Sequence, residues 1–402
     1  SNTTIKIRGT GTVNDADPLY VVDGFIVDDI DHINPNDIAN IEIFKDAASS
    51  AVYGARAANG VVSITTKSGE SGKTKITFDG YVGISNPWKK IDVMGVDDYA
   101  LMQDYINGTS IYSSDGRLYY SKNGDNSYQF DDHKYFLVDT IRRNSPSNWW
   151  DAITRTGFKQ QYNISVSGGN EKTKFMVSAS YYDEKGIVNT SDYKRFNTRI
   201  NINKKLASWL NMTANLSYAN EDRNIVPEGS NSVLKRALYQ NPLIYTYDTR
   251  GYWSEDHPLA MIDRNHNKIN RDRFDMNLNL SADITKYLVY QFKASYYLVP
   301  ETTNKFTEVN NLETDFAMTD LTTVYKMKTS TNKWEINNLL TFNWYNDIHN
   351  ITVLAGQTAE GYKYGYQEST RKGTPSNANN QWYLSSAFTG DKTYGLDREW
   401  TA

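Results

Sequence analysis

The hydrophobic pattern of this chain changes its period near Ser68–Gly72. Before that segment, short apolar runs alternate with one helix of mostly small residues, a pattern typical of a compact α/β module. After it, and most regularly from Lys159 onward, apolar and polar residues alternate over long segments, which predicts extended amphipathic β-strands. Since alternation places every second side chain on the same face, each strand should carry one apolar face and one polar face.

The length of these strands favours a membrane protein over a soluble one. Between residues 175 and 182, for example, one face carries Phe175, Val177, Ala179 and Tyr181. Strands of about ten residues suit a tilted crossing of a hydrocarbon layer, whereas strands in soluble proteins average about five or six. We count about nine such strands, too few to enclose a plug, and therefore expect further strands beyond Ala402. The sequence thus predicts an antiparallel membrane β-barrel of which this chain holds only part.

Composition excludes several classes of function. The 402 residues carry a net charge of −4 at pH 7, so the basic surface typical of a nucleic-acid-binding protein is missing. They contain no cysteine, which excludes disulfides, cysteine-type zinc sites and thiol catalysis within the chain. Aromatic residues make up 13% of the chain, with 30 Tyr and 9 Trp, which favours girdles at a membrane interface or surfaces that stack on sugars.

Two segments imitate known ligand-binding loops. Ser68–Thr74 is similar to a phosphate-binding loop, but Lys67 replaces its first glycine and a strand follows, so we interpret it as a linker between domains. Asp263–Asn267 begins like a calcium loop, but Lys268 and Phe274 stand where an EF-hand requires Gly and Glu. A calcium site of another kind in a surface loop is left open, on the density of oxygen ligands alone.

The sequence contains no recognisable catalytic constellation. Its five histidines show no metal-ligand pairing, and no G-x-S-x-G motif is present. Its carboxylates fall mostly in polar segments between the strands, where solvation or turn formation accounts for them. We therefore predict no enzymatic activity, no resident cofactor and no catalytic or metal-binding residue.

The local signals of the first module are specific. Tyr20–Val22 should be a buried strand that ends at the turn Asp23–Gly24, and Pro35 should start a short helical turn. The strand Val61–Ile64 should pair with the strand of Tyr20 or with that of Ile41. Further helices are predicted over residues 47–56, 96–106 and 230–239.

Three runs in this module carry a family resemblance: Pro18–Gly24, Asn34–Ala47 and Tyr53–Lys67. Together they resemble the plug of the SusC-like (SusC/RagA family) TonB-dependent outer-membrane transporters. Further along, Gln161–Gly169 and Tyr193–Asn197 are similar to the first barrel strands of that family.

The resemblance implies a fold class and a function. The fold would be a large antiparallel membrane β-barrel with an N-terminal α/β plug, about 22 strands in the full protein. The C-terminal part of the plug domain would occupy residues 1–70, and the first part of the barrel, with long extracellular loops, residues 71–402. The function would be TonB-dependent active import of oligosaccharides or peptides across the outer membrane of a Gram-negative bacterium.

The implied partners are a SusD-like surface lipoprotein, TonB with its inner-membrane energising complex, outer-membrane lipid and the oligosaccharide or peptide substrate. Two alternatives stay open. The first is a TonB-dependent receptor for a siderophore or vitamin. The second, from another class, is a secreted β-rich domain that binds or hydrolyses glycans.

The resemblance also assigns a structural or gating role to the signature residues of the plug. These are Tyr20, Asp23, Gly24, Asn34, Pro35, Asp37, Glu42, Lys45, Asp46, Tyr53, Gly54, Arg56, Asn59 and Gly60. For the charged residues Glu42, Lys45 and Arg56, we predict ion pairs and hydrogen bonds between plug and barrel wall rather than contacts to substrate.

Aromatic residues supply the remaining candidates. Tyr112, Tyr119 and Tyr120, in a long polar loop, are predicted to contact the ligand. Trp149–Trp150 should lie in a membrane girdle or pack at the edge of the plug, with sugar stacking as the lesser alternative.

Overall fold

The computed structural model describes residues 17–45, 57–89, 91–95, 99, 102, 148–229, 232–242, 244, 246–247, 257–308, 322–346, 348–374, 383–386 and 394–401. Within these ranges the chain forms one sheet of four strands and one of ten. The helix predicted over 47–56 and most of the helix predicted over 96–106 lie outside the described residues, as do Tyr112, Tyr119 and Tyr120.

The smaller sheet, called the plug sheet here, has the strand order β2-β1-β4-β3. Its strands are β1 Leu19–Val22, β2 Phe25–Val27, β3 Ile38–Phe44 and β4 Val61–Thr66. β4 runs parallel to β1 and antiparallel to β3. The strand at Val61 thus pairs with both of the partners that the sequence left open, because it lies between them. Its apolar side chains are buried, which fits a central strand covered on both faces.

The larger sheet, called the wall sheet, is antiparallel throughout, and each strand pairs with its neighbours in sequence. It has ten strands among the described residues, one more than the number estimated from the pattern. They are β5 Gly72–Ser85, β6 Gly157–Gly169, β7 Thr173–Lys185, β8 Asp192–Ala207, β9 Leu210–Asn224, β10 Asn265–Thr285, β11 Leu288–Thr307, β12 Thr323–Tyr345, β13 Asn350–Lys372 and β14 Tyr394–Thr401.

The connections between wall strands differ in length between the two rims of the sheet. On the short-turn rim, strands are joined by tight connections such as residues 170–172 and 286–287. On the long-loop rim, residues 86–156 and 225–264 join strands and carry three helices. These are α1 Trp149–Ile153, α2 Val233–Tyr239 and α3 Pro258–Arg264. Short turns on one rim and long loops on the other are the arrangement that outer-membrane barrels use.

The wall sheet buries its polar face and exposes its apolar face, the reverse of a sheet in a soluble protein. On β7, Ser178 is only 6% exposed, whereas its neighbour Val177 is 42% exposed. We call the face that packs against the plug sheet the inner face and the opposite one the outer face. Buried polar residues of the inner face include Gln161, Asn163, Ser180, Asn197, Asn201 and Asn215. A soluble sheet buries its apolar face instead, so this arrangement indicates an apolar medium outside.

Aromatic side chains border the outer face at two levels. Near the long-loop rim lie Tyr162, Tyr181, Phe196, Tyr218, Phe274, Tyr296 and Trp334, and near the short-turn rim lie Trp209, Tyr287, Phe342 and Trp344. Ten residues separate Trp334 from Trp344 on β12. At about 3.4 Å per residue and a tilt of about 40°, the two levels are about 25 Å apart, the height of the apolar band of a membrane barrel.

The helices of the long-loop rim enclose a second apolar core. Trp149, 1% exposed, packs there with Ile153, and its indole Nε1 donates to the Asn241 carbonyl oxygen at 3.2 Å. Its ring centroid lies 4.6 Å from that of His257. The expectation of a girdle or plug-edge position was therefore wrong for Trp149, which packs among the loop helices, and Trp150 is buried as well rather than exposed in a girdle. The signal that distinguishes this from a girdle is the short helix around them, which breaks the strand pattern.

Between the two sheets, the segment similar to a phosphate-binding loop leads directly into β5, which begins at Gly72. A Cβ on Gly69 would clash with the backbone of Phe175, so this linker can pass close to β7 only with a glycine there. Because a strand follows rather than a helix, no helix N-terminus is available for a phosphate, and the linker interpretation is confirmed.

Candidate functional site

The plug sheet meets the wall sheet through a tight turn. Asp23 and Gly24 connect β1 to β2 and have φ values of 51° and 86°. Two successive positive φ values define a two-residue hairpin turn of the type that Asp-Gly favours, because glycine has no Cβ and Asp tolerates the left-handed region. The turn directs the Asp23 carboxylate away from the plug core and towards β8 and β9 of the wall.

The Asp23 carboxylate links the two sheets. Within the plug it accepts hydrogen bonds from the backbone N–H and the hydroxyl of Thr66, both at 2.8 Å. From the wall it accepts one from the Asn215 side chain at 3.0 Å and forms an ion pair with Arg199. The Asp23 and Arg199 side chains are only 10% and 11% exposed. A shielded pair with several further hydrogen bonds is the form of ion pair whose disruption is strongly destabilising.

A second ionic cluster joins the segment after β2 to β10. Arg273, whose side chain is 3% exposed, donates to Asp29 at 2.9 Å and to Asp275 at 3.2 Å. Its guanidinium carbon lies 4.6 Å from the Tyr297 ring centroid. His32 bridges the same acids, with Nδ1 3.3 Å from Asp29 and Nε2 3.6 Å from Asp275. One plug carboxylate is therefore held by a single buried wall arginine, and one plug imidazole lies between that carboxylate and Asp275 of the wall.

Electrostatics define the charge states in this cluster. Burial works against ionisation of Asp29, but the hydrogen bond to His32 and the charge of Arg273 outweigh it and hold the pKa of Asp29 well below its usual value. Burial and then the Arg273 charge lower the pKa of His32, against the pull of the two acids. Asp29 is thus a carboxylate and His32 a neutral imidazole at pH 7.

Asn34 forms a buried polar contact with β6. Its side-chain nitrogen donates to Asn163 at 2.7 Å, and its side-chain oxygen accepts from Gln161 at 3.1 Å. The same oxygen caps the 3-10 turn Pro35–Asp37 by accepting from the Asn36 backbone N–H. The sequence run that begins at Asn34 therefore encodes both a cap and a contact with the wall.

Asp37, which ends that turn, is buried beside β7 and β8. Burial raises the pKa of its carboxyl above the usual value, partly offset by a hydrogen bond with Ser178 and by the charges of Arg199 and Lys67. Its backbone carbonyl oxygen accepts from the Lys67 N–H at 2.7 Å. Asp37 thus ties the start of β3 to the linker that leads into the wall.

Replacing Asn34 by alanine should lower the free energy of unfolding by about 1–3 kcal/mol, because Asn163 and Gln161 would lose a buried partner. Chemical denaturation of the detergent-solubilised protein measures this change. The matched control is Asn40→Ala, since Asn40 is exposed and its side chain bonds only to Glu42 of the same strand among the contacts described. A surface change of that kind should stay within about 0.5 kcal/mol. Equal effects of the two changes would contradict the role assigned to Asn34.

The other signature residues have different surroundings. Tyr20 packs against the apolar cluster of Val22, and Gly60 takes a φ of 95° in the turn before β4, where its N–H donates to Ala57. The Asn59 side chain reaches the Asp17 carbonyl oxygen at 3.4 Å. These residues shape the plug itself. Those outside the described residues are Asp46, Tyr53, Gly54 and Arg56.

Of the three charges predicted to pair with the wall, Glu42 makes no such contact among the described residues, Arg56 lies outside them, and the role of Lys45 stays a prediction. Glu42 is exposed on β3, and its carboxylate accepts from Asn40 at 3.0 Å. The plug–wall ion pairs that the structure describes are made by Asp23 and Asp29. The wall residues Arg199, Asn215 and Arg273 were missed by sequence reasoning, because on a polar strand face they look like any other solvated side chain. For Arg199 the only local signal is a charge flanked on that face by Asn197 and Asn201.

Further towards the long-loop rim, the inner face carries tyrosines stacked with cations. Arg195 lies over Tyr182 at 5.9 Å and Arg223 over Tyr193 at 5.4 Å, and the two tyrosine rings are 5.9 Å apart. We call this surface the upper inner wall; Lys305 and Tyr325 on β11 and β12 extend it, at 5.1 Å. Nearby cations have carboxylate partners, as in the ion pairs Arg223–Glu221 and Arg271–Glu301. Paired charges and partly exposed rings suit a neutral, hydrogen-bonding ligand better than a polyanion.

The segment considered for calcium is not a loop. α3 ends at Arg264 and β10 begins at Asn265, whose side-chain nitrogen donates to the Met261 carbonyl oxygen at 2.8 Å. In the part of the chain that the structure describes, no three His, Asp or Glu residues are grouped to hold a metal ion. No helix in that part is long and apolar enough to cross a membrane.

Comparisons with known proteins agree with this architecture. A family model described as TonB-dependent Receptor Plug Domain matches residues 1–61. TonB-dependent receptor P39 of Formosa agariphila is 30% identical over 373 residues, 90% of this chain and 33% of that protein. TonB-dependent receptor SusC of Bacteroides thetaiotaomicron is 27% identical over 315 residues, 69% of this chain and 29% of that protein. The chain thus spans about a third of the length of the curated relatives it matches.

Solved structures show the same fold. The RagAB peptide transporter superposes with a TM-score of 0.78 at 22% identity, over 99% of this chain and 47% of that chain. A plug sequence followed by an antiparallel wall with an inverted polarity defines a TonB-dependent receptor of the plugged-barrel class. Within that class the chain belongs to the SusC/RagA-like group, as its plug signature and its relatives show.

Proposed function

We propose that this chain provides the plug and part of the barrel wall of an outer-membrane importer for oligosaccharides or peptides. Import would be driven through TonB and its inner-membrane energising complex, with a SusD-like surface lipoprotein as a lid. The observation that carries the proposal is the inverted wall sheet, whose polar face is buried on the plug while its apolar face is exposed between two aromatic levels. Such a surface suits lipid and does not suit a secreted soluble domain.

The plug contacts support a gating role for the signature residues. Two of them, Asp23 and Asn34, attach the plug to β6, β8 and β9 through side-chain bonds, and Asp29, which is not a signature residue, attaches it to β10. A pull from the periplasmic side would have to break these bonds before the pore opens. Coupling between ligand and pull requires that ligand binding favours one of two plug arrangements, and β8–β10 extend from the plug contacts up to the upper inner wall.

The upper inner wall supports an oligosaccharide or peptide as the ligand. Its tyrosine rings offer stacking surfaces for sugars or for peptide side chains, and the cations among them are already stacked or paired. The family resemblance implies oligosaccharide or peptide cargo, and the structurally similar RagAB protein is a peptide transporter. Both cargo classes stay within the proposal.

Gene deletion tests this function. The deletion strain and a complemented strain would be grown on single purified oligosaccharides or on defined peptides as the limiting nutrient. We expect growth to fail on one of these classes and to return on complementation. Normal growth on every oligosaccharide and peptide, with a defect only under iron or vitamin limitation, would contradict the proposal and favour the siderophore or vitamin receptor.

A further inference from the structure

Three polar cavities lie between the plug sheet and the wall strands β8, β9 and β10. An upper cavity of about 20 Å³ and a middle one of about 30 Å³ share Arg199 and Ser217 in their lining. A lower cavity of about 250 Å³ shares Asn215 and Asn277 with the middle one. Each pair of neighbouring cavities therefore has side chains in common, and we call the three together the seam.

The register of the wall sheet gives the order of these cavities. Arg199 and Ser217 are register partners and line the upper and middle cavities. Asn197, one inner-face row nearer the long-loop rim, lines the upper cavity, and Asn279, two rows nearer the short-turn rim, lines the lower one. Asp23 also lines the lower cavity, so the Asp23–Arg199 ion pair stands between it and the two above.

Several buried polar atoms along the seam have no hydrogen-bond partner among the described residues. They are Asn197 Oδ1 and Arg199 Nε beside the upper cavity and Asn279 Oδ1 beside the lower one. A buried polar atom is costly to leave unbonded, and a cavity of about 10–15 Å³ already holds one water molecule. Asn163 on β6 also has an unbonded nitrogen, but it lines none of these three cavities. The seam is therefore suited to hold a chain of water molecules.

The plug side of the seam is its least firmly paired strand. β2 Phe25–Val27 lines the middle cavity and is an edge strand, joined to β1 by three residue pairs. The segment that follows β2 contacts the wall through polar groups: Asp29 pairs with Arg273, and the His32 carbonyl oxygen accepts from Asn197 at 2.7 Å. Water can replace polar contacts of this kind, whereas nothing in water replaces the apolar packing around β4.

We propose that solutes cross the plug along this seam and that the Asp23–Arg199 ion pair is its gate. The proposal rests on the proposed function in one respect, that the plug closes a pore lined by the wall sheet. When the ion pair breaks, β2 and residues 28–32 would move away from β8–β10, and the three cavities would join into one wet passage. The plug would stay attached to β6 through Asn34.

The lining of the seam fits a hydrophilic solute. On the wall side of the lower cavity the groups are carboxamides and one hydroxyl, from Asn201, Thr213, Asn215, Asn277 and Asn279. Such groups both donate and accept hydrogen bonds, so they can exchange water for the hydroxyl or amide groups of a passing molecule.

The test compares two serines in one row of the wall sheet. Ser217 lines the seam, whereas Ser165 on β6 stands in the same row, three strands away, and lines none of the three cavities. Both are partly exposed. Each would be replaced by cysteine, alone and together with Asp23→Asn, which removes the charge of the gate and tolerates the left-handed backbone at that position. The intact protein in native outer membranes would be labelled with a small, neutral, water-soluble maleimide, and the parent protein would correct for any other thiol.

We expect Asp23→Asn to accelerate labelling at position 217 by about tenfold or more, because loss of a charge-assisted hydrogen bond raises the open population by that factor. Labelling at position 165 should keep its rate. In planar lipid bilayers with KCl as the probe, Asp23→Asn should also raise the ion conductance of the purified protein. The maleimide should reverse that rise at position 217 and leave it unchanged at position 165.

Two results would overturn the inference. Equal acceleration at both positions would show that the whole plug loosens, and an unchanged rate at position 217 would show that the gate lies elsewhere. Should Asp23→Asn fail to reach the membrane, Arg199→Gln removes the same ion pair from the wall side and carries the same expectations. The probes are ions and maleimide and involve no nutrient, so either result leaves the growth test of import unaffected. Failure of the wild-type protein to insert into bilayers would instead overturn both proposals.

Discussion

Replacing Asp23 by alanine should lower the free energy of unfolding by about 3–5 kcal/mol, the range observed when one partner of a buried ion pair is removed. The change leaves the Arg199 guanidinium shielded from water without its carboxylate and removes the acceptor of both Thr66 hydrogen bonds. A plug held less firmly should also let large hydrophilic antibiotics through the pore. Urea denaturation in detergent measures the first effect, and antibiotic sensitivity of whole cells measures the second.

Two variants control this experiment. Glu42→Ala removes a carboxylate from the same small sheet, but an exposed one, and should change stability by no more than about 0.5 kcal/mol. The double variant Asp23→Ala/Arg199→Met should be less destabilised than the sum of the two single changes, because neither leaves an unpaired charge when both are absent. Additive effects, or an Asp23→Ala protein as stable and as impermeable as wild type, would contradict the assignment of Asp23 as a plug–wall anchor.

Placing an arginine at Leu340 should disfavour folding into lipid vesicles by about 2–4 kcal/mol, the cost of an arginine near the bilayer midplane on a barrel. Leu340 is 41% exposed on the outer face of β12, between the girdle residues Trp334 and Trp344. In water, the same change at a half-exposed surface leucine would be close to neutral. The sign and size of the effect therefore report the medium that surrounds the outer face.

The control for Leu340→Arg lies on the same face of the same strand. Ser330 is exposed beyond the Trp334 girdle, so Ser330→Arg should change the folding free energy by less than about 0.5 kcal/mol. Urea titration of vesicle-folded protein, followed by tryptophan fluorescence, compares the two. Equal tolerance of arginine at both positions would contradict a lipid environment for β12.

Much of the architecture could be predicted from the sequence because its causes are local. Strict alternation, as at Phe175–Tyr182, fixes both the strand and its faces, since a slip of one residue would exchange them. The Asp23–Gly24 turn and the 3-10 turn at Pro35 follow from residue types that restrict φ or supply a cap. The alternation also predicts an apolar exterior once strand length is considered, although it gives no information about what covers the polar face.

The candidate site was harder to predict from the sequence because its contacts join distant parts of the chain. Asp23 was predicted to form a turn and, by resemblance, to have a structural or gating role, but nothing near it indicates that its carboxylate reaches Arg199, 176 positions away. Glu42 was selected because it is charged, but β3 is an edge strand and the Glu42 side chain is exposed. Which plug charge meets the wall depends on how the two sheets pack, and this is set by many side chains together.

The tyrosines of the upper inner wall were also hard to identify from the sequence. Tyrosines such as Tyr182 and Tyr193 have the polar-face parity of their strands, but composition alone does not separate them from the girdle tyrosines Tyr162 and Tyr181. Only the register, together with the stacked Arg195, shows that they face inward. From the sequence alone, aromatic residues are therefore assigned to loops or girdles. Tyr112, Tyr119 and Tyr120 were assigned to a loop in this way, and their role stays a prediction.

Thiol labelling of intact cells tests the central claim most directly. The 402 residues contain no cysteine, so Leu340→Cys and Ser330→Cys each introduce a unique thiol into this part of the protein. With a membrane-impermeant maleimide, we expect rapid labelling at position 330 and no detectable labelling at position 340, because lipid excludes water and keeps the thiol protonated. Labelling of both positions at similar rates would show that the outer face is bathed in water and would contradict the account of a membrane-embedded wall around a plug.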